Sequence, residues 1–218
     1  MNYLQLVNKV LIRLREDQVA AVNESDYSSL IGEFVQHALS EVEDAWDWNV
    51  LRGTIQVTTA ADNFSYVLDG AGIGFKVFDV HEDNNDYDLN KATYHQMNHW
   101  LLSADNMVTG APLYYDFNGK DSTGDPVVNF FPVPDGEYKI NFNMKMKTDL
   151  SADLTGTTII MVPWLPVVLK ATALAINERG EDGGLTVAGL STQYDSVLAN
   201  AVSYDAALNA DETMWEVE

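Results

Sequence analysis

The chain has 218 residues, 46 % of them hydrophobic, and a formal net charge of -21 from 12 Lys and Arg against 33 Asp and Glu. An acidic disordered segment would be poor in apolar side chains, so this chain folds and shows water a surface that repels nucleic-acid phosphates and attracts basic partners. It has no cysteine, which excludes disulfide scaffolds, thiolate metal sites and cysteine nucleophiles, and removes any need for an oxidising compartment.

The start, Met1-Asn2-Tyr3-Leu4-Gln5, has no basic segment leading into an apolar one, so no secretory leader is expected. Leu4, Val7, Leu11 and Leu14 repeat at helical spacing over Asn2–Glu16, with Lys9, Arg13 and Arg15 turned elsewhere. Asn23–Asp26 reads as a loop, with Asp26 or Ser28 capping the next helix. That helix, from about Ser28 to Trp46, carries a stripe including Leu30, Phe34, Ala38, Val42 and Trp46.

After Trp48 the period becomes two. Thr54–Thr58 and Phe64–Leu68 alternate as strands, Gly70, Gly72 and Gly74 form a hairpin turn, and Phe75–Val80 is the next strand. Asp83–Asp88 is an acidic loop, and Thr93–Ser103 a short helix or a loop. Leu113–Phe117 and Val127–Phe131 are strands joined through Gly119 and Gly124. The last strand sets Tyr138, Ile140, Phe142, Met144 and Met146 against Lys139, Asn141, Asn143, Lys145 and Lys147.

Helices then return. Pro163 suits a helix N-terminus, Leu165–Arg179 is apolar nearly all round, and Gly180, Gly183 and Gly184 end it. The stretch Ile159–Ile176 approaches spanning length, but Pro163, Pro166 and Lys170 make it a buried helix, not a membrane one. A final helix, about Leu190–Leu208, aligns Tyr194, Leu198, Ala201, Tyr204 and Leu208. The order helices, strands, helices indicates an α+β fold: a helical bundle from residues 1–52 and 159–218 with an inserted antiparallel β region, 53–158. Trp46, Trp48 and Trp164 are expected as core anchors, and Glu178, Glu181, Asp182, Asp195 and Asp205 as an acidic surface.

No catalytic motif emerges. His95 and His99 lie four apart, but Gln96 stands where a zinc protease needs glutamate, so two surface histidines are expected. Asp79, Glu82, Asp83, Asp86 and Asp88 lack the central glycine and final glutamate of a calcium loop; a solvated acidic loop is the leading reading and a weak divalent-cation site the alternative. Gly70–Gly74 is not followed by a helix, so it is no dinucleotide fingerprint. Lys139, Lys145 and Lys147 share a strand face, but the overall charge opposes any polyanion. The chain reads as a non-enzyme without metal or cofactor, with a carbohydrate-binding or tail-fibre-like module as the competing reading, based on its strands and tryptophans.

The helix pair ending in Glu41-Val42-Glu43-Asp44-Ala45-Trp46-Asp47-Trp48-Asn49, then Pro112-Leu113-Tyr114-Tyr115-Asp116, then Val128–Tyr138, then Ala173–Glu181 in the closing helices, resembles the head-to-tail adaptor proteins of tailed bacteriophages, the group that includes tail tubular protein A of short-tailed phages. The resemblance spans nearly the whole layout. It implies a virion protein assembled in the host cytoplasm: a homo-oligomeric ring, usually twelve-fold, below the portal protein and above a tail or nozzle protein, with tail fibres as a further candidate partner, away from any membrane. Helices would pack side by side around the channel and strands would face tail components. The family's C-terminal portal contact maps onto Ala210–Glu218, where Met214, Trp215 and Val217 would anchor while the acids meet basic portal groups. Acidic walls supply no cation to displace condensed counterions, so genomic DNA would pass without adhering. The same charge disfavours contact between free copies, so the protein is expected to be monomeric or weakly associated until a portal templates the ring.

Overall fold

Asn2 starts the first helix: its side chain accepts the Gln5 amide at 2.9 Å while Gln5 accepts the Asn2 amide at 3.0 Å, closing a capping box on α1, Tyr3–Arg13. The computed structural model describes residues 1–102, 108–150, 152–180 and 185–208. The chain divides into two units, Met1–Leu51 with Thr148–Glu218, and Arg52–Lys147.

In the first unit α2, Asp26–Ala45, is capped by Ser25, not by Asp26 or Ser28; Ser28 instead closes the box from the helix side. The Ser25 backbone is extended while that of Asp26 is already helical, and only an extended residue can turn its side chain onto the free amides. The helix α4, Trp164–Arg179, lies against α1, α2 and α5, Leu185–Ala206. Its near-continuous apolar surface is used: Val167, Val168, Leu169, Ala171 and Ala175 are all buried. Gly180 ends it in the left-handed conformation at φ 67°, returning its amide to Ile176 O at 3.1 Å. The helix α5 begins earlier than the apolar spacing suggests, at Leu185.

Residues 148–158 were expected with the strands, but they are pinned to the helices. Thr148 donates from its amide (3.3 Å) and hydroxyl (2.7 Å) to the buried Glu43 carboxylate of α2. Tyr3 and Leu4 donate their amides to Thr158 O and Gly156 O at 2.9 and 3.0 Å. Asp153 holds this turn by accepting from Gly156 N (2.8 Å) and Thr158 N (2.6 Å), and the bond from Thr158 foremost keeps its carboxyl well below the usual carboxylate range. Gly156 sits at φ 76°, and a Cβ there would come within 2.6–2.9 Å of Leu4 Cβ, N and Cα. Because backbone atoms cannot swing away, Gly156→Ala is expected to destabilise by about 2–3 kcal/mol, combining left-handed strain with a clash. A urea midpoint unchanged from the parent chain would contradict this.

The second unit is a pair of four-stranded sheets. One has the order β1 (Arg52–Thr58), β8 (Lys139–Lys145), β3 (Lys76–Glu82), β4 (Tyr87–Asp88); the other has β2 (Ser65–Val67), β7 (Pro126–Phe131), β6 (Tyr114–Lys120), β5 (Asn90–Lys91). Every pair is antiparallel except β5 and β6. The alternation read in β8 holds: Ile140, Phe142 and Met144 are fully buried. Phe142 packs against Tyr115, Phe117 and Phe130 of the other sheet, at ring separations of 5.7, 6.5 and 6.1 Å. The glycine turn at 70–74 joins no hairpin. Its β2 side belongs to one sheet and its β3 side to the other, so it carries the chain across the sandwich.

On the outer face of the second sheet, Trp100 of α3, Tyr94–Leu102, stacks on Tyr114 and Phe131 at 5.0 and 4.8 Å. Asp116 and Asn129 face each other across β6 and β7 on that same side. Both are 2 % exposed, and Asp116 Oδ1 and Oδ2 and Asn129 Oδ1 have no hydrogen-bond partner among the described residues. Burial pushes the Asp116 carboxyl above the usual range. Its folded state therefore holds a proton more tightly than its unfolded state, so this group's contribution to stability falls as pH rises from the unfolded carboxylate value through the folded one. Asp116→Asn, which supplies a donor for Asn129, is expected to raise stability at neutral pH by about 1–3 kcal/mol. The gain should vanish below about pH 3.9, where the unfolded carboxyl also holds its proton. Denaturant melts across pH check both the sign and the window.

Candidate functional site

A concave feature of the helical unit lies at the foot of α5. It is a groove of about 530 Å³, and its lining includes Met1, Trp48, Val50 and the segment Ile160–Trp164, with Ala201, Tyr204, Asp205 and Leu208 on the α5 side. The local sequence explains its openness. Met161 and Trp164 flank Pro163, whose ring fixes the backbone entering α4 and supplies no side-chain cap. Met161 is 57 % exposed, Trp164 38 %, Tyr204 80 % and Leu208 76 %. A cluster of large apolar side chains this exposed, gathered on one groove, marks a surface made to be covered.

One carboxylate holds the groove's geometry. Asp205 Oδ2 accepts from Trp46 Nε1 at 3.0 Å, from the Asn49 amide at 3.1 Å and from Asn49 Nδ2 at 3.3 Å, and Asp205 O accepts from Asn49 Nδ2 at 3.2 Å. These bonds tie the last turn of α5 to the end of α2 and the 3-10 turn Asn49–Leu51. Trp48 is 1 % exposed and donates its indole N–H to Val42 O at 2.7 Å. Lys9 places its ammonium 4.5 Å above the Trp164 ring, so a cation stands at the groove edge in a chain with few of them.

The sequence-read residues fall as follows. Trp48 lies in the core cluster of the helical unit and Trp46 packs half-buried against it, bonded to Asp205. Trp164 was expected as a core anchor but stands at the first position of α4, partly in solvent and under Lys9. Glu178 and Asp195 are exposed. Asp205 was expected on the acidic surface; it is 9 % exposed, because three donors draw it inward. Glu181, Asp182, Met214, Trp215 and Val217 lie outside the described residues. The groove thus brings Trp48, Trp164 and Asp205 together, and Trp46 joins them through Asp205. Sequence reading missed the exposure of Met161 and Tyr204 and the position of Lys9 over Trp164.

The other candidates have structural explanations. His95 and His99 are exposed. In the acidic loop Glu82 is fully buried and accepts from the Asn84 and Asn85 amides and from Asn85 Nδ2 at 2.8–2.9 Å. His81 faces Asp88 at 2.9 Å and Asp86 at 3.4 Å, and its pKa is raised chiefly by the Asp88 hydrogen bond. Among the described residues, no group of three or more His, Asp or Glu is placed to hold a metal ion. No helix among them is long and apolar enough to cross a membrane. Lys145 is buried at 6 % exposure, so the three strand lysines do not make an open phosphate-binding face.

The chain belongs to the SU10 adaptor protein family, whose profile matches residues 1–214. That membership agrees with a phage head-to-tail adaptor. Among solved structures, a chain described as "Neck of empty GTA particle computed with C6 symmetry" is similar at 13 % identity over 86 % of this chain and 87 % of that one, with a TM-score of 0.28, too loose a superposition to transfer any contact. No curated protein matches the chain.

Proposed function

We propose that the chain is the ring-forming head-to-tail adaptor of a tailed-phage particle, a structural rather than catalytic subunit standing between the portal protein and a tail or nozzle protein in the virion neck. The single observation that carries this reading is the family match over residues 1–214. The physical chemistry supports it. A chain with 12 Lys and Arg against 33 Asp and Glu offers a passing duplex few cations for counterion exchange, so DNA would slide along its walls without adhering. At about 0.15 M salt the screening length is roughly 8 Å, which confines the repulsion to DNA close to the wall. The same charge keeps free copies apart, so the ring, twelve-fold in this reading, closes on the portal and not in solution. Met214, Trp215 and Val217 are the proposed portal anchors.

The test is to mix the protein with assembled portal rings at physiological salt, pellet the complex and image it. A closed collar on the portal, absent when either partner is alone, is the expected result. Deleting Asp211–Glu218 should abolish the collar. Full collar formation by the deleted chain would remove the tail's role, and a stable ring of isolated protein at low salt would overturn the templating step. Of the tryptophans on which the competing saccharide reading rests, Trp48 is buried and Trp100 is stacked on Tyr114 and Phe131.

A further inference from the structure

We infer that the groove at the foot of α5 is the socket for the chain's own last residues, 209–218, and that the tail lies in it while the subunit is free. The inference does not depend on the adaptor reading; it needs only this chain. Three observations meet here. First, the groove's lining includes Leu208, the residue to which the tail is joined. At roughly 3.3–3.6 Å per extended residue, the stretch from Leu208 to Met214 reaches about 20 Å, enough to reverse direction and return. Second, that tail carries Met214, Trp215 and Val217, large apolar groups of the kind that fill a cleft lined by Met161, Trp164, Ala201 and Tyr204. Third, the tail is otherwise acidic, with Asp211, Glu212, Glu216 and Glu218, and the Lys9 ammonium stands over Trp164 at the groove edge. On a surface of net charge -21, a cation beside an apolar groove is an uncommon place for such a tail to rest.

Tethering decides between this tail and a second copy's. A short covalent tether gives the tail an effective concentration that is roughly millimolar, so even weak intrinsic affinity fills the groove. A second copy must first overcome repulsion between two strongly acidic chains. The groove's apolar side chains and the tail's own would then be covered together in the isolated subunit. Any partner that takes the tail has to draw it out, leaving the groove open at the same moment.

The absence of cysteine permits a clean test on the full chain. A nitroxide attached at Thr213→Cys should bleach the NMR signals of the Trp164 indole, the Ala201 methyl and the Tyr204 ring, to the same degree at every protein concentration. Trp215→Ala in the labelled chain should restore those signals. In a mixture of labelled, isotope-silent chain with unlabelled, isotope-enriched chain, no bleaching should occur. Absence of bleaching in the labelled chain, or bleaching that survives Trp215→Ala, overturns the proposal. Bleaching in the mixture makes a second copy the occupant and overturns it equally. A second readout avoids the label: a fluorescent peptide of residues 209–218 should bind the Ala201→Trp full chain no better than the parent, and should bind a folded chain ending at Leu208 at least tenfold more tightly than the parent. Equal binding to the parent and shortened chains shows an unoccupied groove and refutes docking in cis.

Discussion

Asp205→Ala is expected to lower the stability of the helical unit by about 2–4 kcal/mol, a large effect for one carboxylate near a helix end. Its Oδ2 is the acceptor for Trp46 Nε1, the Asn49 amide and Asn49 Nδ2, all within 3.0–3.3 Å. Truncation removes that acceptor from three N–H groups in a part-buried site at once. Each buried donor left unsatisfied costs about 1–3 kcal/mol, although water reaching the opened site recovers part of it. Asp205→Asn keeps an oxygen of nearly the same reach but loses the charge that strengthens the bonds, so its loss should be roughly half as large. Asp195→Ala, exposed on the same helix, should stay within about 0.5 kcal/mol of the parent and controls for helix propensity and net charge. Urea melts give the free energies. The near-ultraviolet dichroism of Trp46 should change in Asp205→Ala before any unfolding, because its indole loses a fixed partner. A truncated variant with the parent's midpoint and spectrum would show that α5 is held by apolar contacts alone.

The place of Asp205 was in fact readable. Tyr194, Leu198, Ala201 and Asp205 recur at i, i+4, i+7 and i+11, one stripe of a helix. A carboxylate on the stripe that packs inward demands donors, and the tryptophan and asparagine at 46 and 49 were available. Charge counting placed Asp205 with the solvated acids because it ignored phase. Phase also misled: Tyr204 shares the apolar pattern but is exposed, since α5 packs along a narrow seam in which Tyr194 and Asp205 are the buried positions among those described. The helices and the long strands were legible because each buries a face, and burial writes its period into the chain. Residues 148–158 were not, because their bonds to Glu43, Tyr3 and Leu4 are long-range and leave no local pattern. The parallel β5–β6 pair is two residues long, too short to carry a period. The crossing at Gly70–Gly74 differs from a hairpin only in which partner each flanking strand finds, and β7 and β8 lie far along the chain.

Trp48→Ala is the substitution with the largest expected loss, about 3–5 kcal/mol, against a total stability of about 5–15 kcal/mol for ordinary domains. Trp48 is among the largest fully buried side chains, and its neighbours in the core cluster include Val42, Leu51 and Val162. These side chains hang from α2, a 3-10 turn and the lead into α4, so they cannot all collapse into the space an indole leaves. Trp48→Phe separates the two contributions. It restores most of the ring volume but leaves Val42 O without the 2.7 Å indole donor, and should cost about 1–2 kcal/mol. Because Trp48 also lines the groove, Trp48→Ala enlarges the groove from beneath, while Trp48→Phe leaves its mouth unchanged. An environment-sensitive apolar dye should therefore bind more to the alanine variant than to the phenylalanine variant under conditions where both are folded. If the two variants melt together, packing around the indole contributes little, and the hydrogen bond to the end of α2 becomes the whole of the residue's role.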